Sequence, residues 1–265
     1  MRRLLTVSVV LALGAGTTHA RLVAQTPQTP TIDQILDKYI TAAGGRAALE
    51  KITSATAKGT LQIPDVNISG TIELYQKAPD KALTVVDLAG VGRQREGYDG
   101  TTGWADDPQN GLRQKTGAEL ADAKRSAVFG RELKMKAIYP TLTVKGHAQV
   151  DGRDALFVEA VPADGAPLKL YFDAESGLLV RQSSTRQTVE GALEVEVTYA
   201  DFRDVDGVKR AFTIRQATAM FTATIQLTEL KQNVPIDDAM FQMPKGAPGA
   251  DVLLPGRSAI RSSRR

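Results

Sequence analysis

From Ser54 onward the side chains alternate with a period of two, and turn dipeptides interrupt the alternation. Leu61 and Ile63 alternate with Thr60 and Gln62, and Ile68, Ile72 and Leu74 alternate with Ser69, Thr71, Glu73 and Tyr75. Turn signals stand at Pro64-Asp65, Pro79-Asp80, Gly90, Asp99-Gly100 and Asn110-Gly111. They return at Asp151-Gly152, Asp164-Gly165, Ser176-Gly177, Glu190-Gly191 and Asp206-Gly207. A period of two sends successive side chains to opposite faces of a sheet, and Asp-Gly or Asn-Gly supplies the positive φ of a tight hairpin. The pattern is that of an antiparallel meander of about eleven strands. After the helical interval the clearest runs are 156–161, 168–172, 178–182, 193–199, 212–214 and 221–227.

Helical patterns occur twice. Thr31 with Gln34 forms a capping box ahead of Ile32, Ile35, Leu36, Tyr39 and Ile40 at helical spacing. Gly44-Gly45 ends that helix, and a short second one runs to about Ile52. Thr116 with Glu119 is a second capping-box pattern, opening a helical stretch that continues, after a break, to Ile138 before Pro140. At the C-terminal end, residues 233–241 read as a turn that tucks Phe241 back onto the sheet.

The ends have a different composition. Arg2 and Arg3, an apolar run from Leu4 to Ala15 and small residues around Ala20 and Ala24 read as a signal peptide over residues 1–24, cleaved after Ala20 or Ala24. That implies a periplasmic location. Residues 25–30 read as a linker, 31–245 as one domain and 246–265 as a disordered basic tail. Residues 1–24 hold three arginines and no acid, so the rest of the chain balances at 30 basic and 30 acidic residues. The last ten residues carry four arginines, which leaves the body acidic and argues against nucleic acid as a partner. With no cysteine there is no disulfide, thiolate metal site or lipidated cysteine. His147 is the only histidine beyond the signal segment, which leaves no histidine cluster for a metal. No metal and no cofactor is expected.

An open sheet this wide curls, because strand twist accumulates. Its inner face is apolar, and the helices at 31–52 and 116–138 are the elements available to cover it. Either the sheet closes tightly on itself or a concave apolar space remains that suits an acyl chain. The inward candidates are Leu61, Ile72, Leu74, Leu142, Val144, Phe157 and Leu170. Phe172, Val195, Val197, Phe221 and Ile225 complete the set, with Ile35, Leu36, Tyr39, Ile40 and Leu120 on the covering helices. Periodicity alone does not say whether they line a cavity or fill a core.

Several phrases carry a resemblance: residues 39–52, Tyr75-Gln-Lys-Ala-Pro-Asp80, Gly97-Tyr-Asp-Gly-Thr-Thr-Gly-Trp104, Tyr171-Phe-Asp-Ala-Glu-Ser-Gly-Leu-Leu179 and Tyr199-Ala-Asp-Phe-Arg-Asp-Val-Asp-Gly207. Through them the chain resembles the LolA/LolB superfamily of periplasmic lipoprotein carriers, in particular proteins labelled outer membrane lipoprotein-sorting proteins. The resemblance implies a mainly β (α+β) fold: a curled, unclosed antiparallel half-barrel with covering helices. It also implies a hydrophobic cavity for lipoprotein acyl chains or another lipid, and membrane-bound donor or acceptor proteins as partners. Lacking the lipidated cysteine of the acceptor form, this chain is similar to the soluble form. Arg93, Arg95 and Arg113 lie in strand segments, and none is assigned to the arginine that latches the lid in that family.

Other features have bland readings beside functional ones. Trp104 suits either the cavity mouth or the core beneath a tight hairpin. Leu88-Ala-Gly-Val-Gly92 is an apolar hairpin tip, able to enter a membrane or to cap its own turn. Asp106, Asp107, Asp204 and Asp206 lack the remaining ligands of a calcium loop and read as turn residues. No nucleophile elbow accompanies His147, so no catalytic residue is assigned and an enzyme is the weakest reading. The sequence thus predicts a soluble carrier of lipid. The alternative is an envelope protein-binding or regulatory module on the same scaffold.

Overall fold

The computed structural model describes residues 29–188 and 191–245. The signal-peptide and tail readings lie outside the described residues, as do residues 25–28 of the linker. Thr31 caps α1 (Ile32–Ala42): its hydroxyl accepts the Gln34 N–H at 3.3 Å, and the Gln34 side chain accepts the Thr31 N–H at 2.8 Å. After α2 (Arg46–Glu50) the chain enters β1 (Ser54–Ile63), β2 (Ile68–Lys77), β3 (Lys81–Leu88), β4 (Gly92–Tyr98), β5 (Gly103–Asp107) and β6 (Gly111–Gln114). Two helices, α3 (Gly117–Ala127) and α4 (Arg131–Ile138), lead to β7 (Thr141–Val150), β8 (Arg153–Val161) and β9 (Leu168–Asp173). The last strands are β10 (Leu179–Thr188), β11 (Gly191–Val205), β12 (Val208–Ala217) and β13 (Thr222–Gln232).

These thirteen strands form one antiparallel sheet, in the order β6 to β1 and then β13 down to β7. The chain enters at the middle, meanders to one edge, crosses through α3 and α4 to the other edge, and meanders back until β13 pairs with β1. The edge strands β6 and β7 do not pair with each other, so the sheet is an unclosed, curled half-barrel with helices. Thirteen strands replace the expected eleven. One reason is β6, four residues long with none buried, too short to display a period. Another is β7, which precedes the first of the clear alternating runs.

The turn chemistry is local. Asp151-Gly152 joins β7 to β8 with φ of 49° and 78°, and Asp206-Gly207 joins β11 to β12 with φ of 50° and 82°. Both are two-residue turns with positive φ at each position, the geometry that matches strand twist. The second capping box does not form. Thr116 makes no side-chain cap, and the reciprocal half of the box is missing because the Glu119 carboxylate is held by the Arg113 guanidinium through two bonds of 2.7 and 2.8 Å.

Both faces of the sheet are covered, each by a different segment. On one face, Ile35 and Leu36 of α1 and Met135 and Tyr139 of the α4 region pack on Leu156, Val158, Leu170 and Phe172 of β8 and β9. Tyr39 meets Phe172 edge to face at 5.3 Å. Beside them, Ala43, Leu49, Ile52, Phe129 and Val208 seat the α1–α2 corner on the β12 end of the sheet. On the opposite face, residues 234–243 run as a strap over β2, β3 and β5, where Ile236 and Phe241 bury Leu83, Val85 and Trp104. Each such apolar side chain contributes about 1.5–3 kcal/mol on burial.

Candidate ligand cavity

Pairing register identifies the residues that share the helix-covered face. Ala57 lies opposite Leu74 and Leu230, Leu74 opposite Thr84, Gln182 opposite Val197 and Leu170, and Tyr199 opposite Ile214. Residues directly opposite on an antiparallel pair point the same way. Between this face and the covering helices lies a cavity of about 450 Å³, within the range of about 300–1,000 Å³ usual for small-molecule sites. Ala57, Leu74, Leu170, Ile214, Leu227 and Leu230 form much of its sheet wall. Tyr39, Phe129, Met135 and Tyr139 face them from the helical side.

The wall is not wholly apolar. Gln182 and Arg186 of β10, Arg131 and Glu132 of α4, and Arg210 of β12 reach it. The Arg210 guanidinium donates to the Glu132 carboxylate at 2.7 Å, and both side chains are largely buried. Glu132 is the only carboxylate on the cavity wall among the described residues, so it has no second carboxylate to share acid–base work. Burial pushes the Tyr39 phenol far above its ordinary range, with Glu132 adding to the shift. Burial also raises Tyr199, against the pull of Arg131 and Arg186. Both phenols are therefore neutral hydroxyls, able to donate or accept a hydrogen bond.

Of the residues expected from sequence, Leu74, Leu170 and Tyr39 lie on the cavity wall. Ile35 and Leu36 are buried beside it, fastening α1 to β8 and β9, and Ile40 packs into the α1–α2 corner. Leu120 lies against Gly103, covering β5. Leu142, Val144 and Phe172 belong to the packed core under α1 and α4. Ile72, Val195 and Val197 are buried on the helix-covered face but off the cavity wall. Leu61, Phe221 and Ile225 pack together with Ile63 and Leu88, at the hairpin-tip end of the sheet.

Two expectations fall on the wrong face. Phe157 stacks on Tyr171 at 5.1 Å, and its neighbours Leu156 and Val158 are the ones turned toward the helices. Trp104 lies opposite Gly97 under the strap, 1% exposed, and its indole N–H donates to the Phe241 carbonyl at 2.8 Å. A Cβ on Gly97 would fall 2.3 Å from the indole ring, so only glycine admits the tryptophan there. The core reading of Trp104 is the one that holds, and the strap, which the sequence shows as a tucked Phe241, is what buries it.

The remaining features have plain roles. Leu88 is buried at the β3–β4 tip while Ala89 and Gly90 are exposed, so the tip offers no large apolar side chain to a membrane. Asp107 accepts the N–H groups of Gln109 and Asn110, Asp204 accepts that of Gly207, and Asp106 pairs with Arg95. His147 pairs with Asp154 at an exposed site.

Sequence reasoning missed the polar part of the wall. A signal for it exists in β10, where Gln182, Ser184 and Arg186 occupy inward positions opposite Val197, Val195 and Leu193. A central strand that is polar on its covered face is unusual unless something polar is meant to enter.

No protein-family model matches the chain, and no curated protein matches it. Solved structures do. A LolA superfamily protein from Nitrosomonas europaea superposes with a TM-score of 0.55 at 14% identity, over 80% of this chain and 98% of that one. A putative outer membrane lipoprotein-sorting protein domain from Vibrio parahaemolyticus gives 0.54 at 14%, over 78% and 97%. A DUF1329 family protein from Desulfovibrio piger gives 0.54 at 16%, over 80% and 97%. At these identities the likeness is one of fold: the sheet, its open edges and its covering helices give this chain a LolA-like fold.

Proposed function

We propose that this chain is a carrier or chaperone that buries an acyl chain of a lipoprotein, or another long apolar ligand, between the half-barrel and its helices. The observation that carries the reading is the 450 Å³ cavity, open to solvent and walled mainly by aliphatic and aromatic side chains. Each methylene moved from water into such a wall contributes about 0.8 kcal/mol. A single chain is then held in the micromolar range after the costs of association. The names of two structural neighbours, a LolA superfamily protein and a lipoprotein-sorting domain, agree with this reading.

The reading assigns no catalytic residue, and it leaves Glu132 bound to Arg210. Release requires α1 and α4 to shift from the sheet, or a membrane-bound acceptor with a better site. Such an exchange fits a periplasmic protein, the location implied by the signal-like N-terminal residues. Among the described residues no helix is long and apolar enough to cross a membrane.

The test is to purify the full chain under native conditions and extract it for lipid mass spectrometry, then to titrate it with a fluorescent fatty acid. Co-purified acyl species near one per chain, or saturable uptake at micromolar concentration, is the expected result. An empty protein that also refuses the fatty acid would refute the carrier and favour the protein-binding module.

A further inference from the structure

Beside the large cavity lies a second, of about 60 Å³. The two share Ser126, Arg131, Tyr139, Gln182 and Arg186, so these residues stand at a junction. The small cavity is the polar one: its own wall adds Asp122, Arg125, Ser184 and Thr185. An apolar chamber therefore continues into a small polar chamber through a junction that carries two arginines.

The charges there do not cancel. Arg125 is neutralised by Asp122 and Asp164, and Arg210 by Glu132. Arg131 has no carboxylate partner among the described residues. Its guanidinium donates to the Arg125 carbonyl at 3.0 Å and to the Tyr139 hydroxyl at 2.8 Å, both neutral acceptors. Those bonds fix a half-buried cation in place and leave other N–H donors unused. Arg186 has no hydrogen-bond or ion-pair partner among the described residues, and its side chain is exposed at the same junction. Both cations line the large and the small cavity, which places them at one junction of the wall. Lys209, also without an ion pair among the described residues, adds positive charge to the larger cavity.

We propose that this junction is a headgroup site, and that the ligand is an anionic amphiphile whose phosphate or carboxylate sits between Arg131 and Arg186 while its acyl chain fills the larger cavity. The assignment rests on the carrier reading and narrows its ligand class. A half-buried guanidinium that lacks a counterion is costly, and an oxyanion offers it the forked acceptor geometry that it prefers. Gln182, Ser184 and Ser126 supply neutral donors for the remaining oxygens. The chain length and the rest of the headgroup are left free, because the small chamber holds little beyond the anion itself.

The experiment compares four probes by calorimetry on the full chain: dodecyl phosphate, laurate, dodecanol and inorganic phosphate. The two anionic amphiphiles should bind about tenfold or more tighter than dodecanol, the worth of one charge-assisted hydrogen bond or more. Arg186→Gln and Arg131→Gln should each erase most of that preference, read as the ratio of dodecyl phosphate to dodecanol affinity within the same variant. Arg186 is exposed and makes no hydrogen bond or ion pair among the described residues, so its variant decides the matter even if Arg131→Gln fails to fold. Equal affinity for dodecanol and dodecyl phosphate would overturn the headgroup site and leave the carrier intact, as would a preference untouched by Arg186→Gln. Binding of none of the amphiphiles would overturn both. Inorganic phosphate that displaces dodecyl phosphate at equal concentration would assign the junction to a free anion instead of a lipid.

Discussion

Phe241 is fully buried, and its removal isolates the contribution of the strap. In Phe241→Ala the strap keeps its backbone carbonyl, so the bond from Trp104 can persist, while the ring that fills the space against Leu83, Val85 and Trp104 is lost. Truncations of buried phenylalanine cost about 3–5 kcal/mol. For a protein of this size each kcal/mol moves the melting temperature by about 2–4 °C, which predicts a fall of about 6–20 °C. Trp104 is the only tryptophan, so its emission reports on this one place. Thermal melts by circular dichroism should show the fall, and the native emission should shift to longer wavelength as water reaches the indole. Fatty-acid uptake should be unchanged at temperatures where the variant is folded, because the ring lies on the face away from the cavity. A melting temperature within about 2 °C of the parent would refute the view that the strap seals a core.

Three further outcomes follow from the same geometry. Ala57→Trp places an indole on the cavity floor, and it should reduce fatty-acid affinity by about tenfold or more, the worth of two methylenes; undiminished uptake in a folded variant would place the ligand elsewhere. Binding of a non-fluorescent fatty acid should leave Trp104 emission unchanged in the parent protein, and a saturable shift would contradict the placement of the indole on the far face. Asp238 on the strap bonds Lys77 at 2.8 Å and Lys81 at 2.7 Å, and these bonds hold its carboxyl at about 2, below the 3.8 usual for aspartate. A depressed folded-state value stabilises above the unfolded one, so its contribution is present above about pH 4 and lost as pH falls through about 2. Asp238→Asn should therefore melt below the parent at pH 6 and coincide with it near pH 2. An equal gap at both pH values would show that the pair is not the cause.

Much of this architecture is legible in the chain because its determinants are local. The Thr31–Gln34 cap, the Asp-Gly turns and the alternation of β1 and β2 each depend on residues a few positions apart. What was not legible depends on distant partners. Thr116 and Glu119 satisfy the capping pattern, but Arg113 competes for the carboxylate and wins with two bonds. Alternation tells which residues share a face and is silent on which face receives helices. The strap makes the opposite face apolar as well, so Trp104 and Phe157 satisfied a rule that could not separate the two sides. The cavity wall escaped for a related reason. Its arginines and its glutamine come from α4, β10 and β12, and only the folded sheet brings Arg131 and Arg186 to one junction.

The β1–β13 seam has a consequence for folding kinetics. Every other strand pair is a neighbour in sequence, whereas the seam joins residues as far apart as Thr53 and Asn233, which are 180 positions distant. Closing a loop of that length costs about 2.5 kcal/mol more than closing a ten-residue hairpin. The two meanders can therefore zip from their hairpins early, as separate half-sheets with exposed apolar faces, and the docking of β1 on β13 becomes the slow step. Weakening substitutions at that seam should slow refolding, while equal losses at the β6 or β7 edge should mainly speed unfolding. Until the seam forms, β1 and β13 are the open edge strands of the two half-sheets, each with one side unpaired, and it is there that a folding chain would first adhere to another copy of itself.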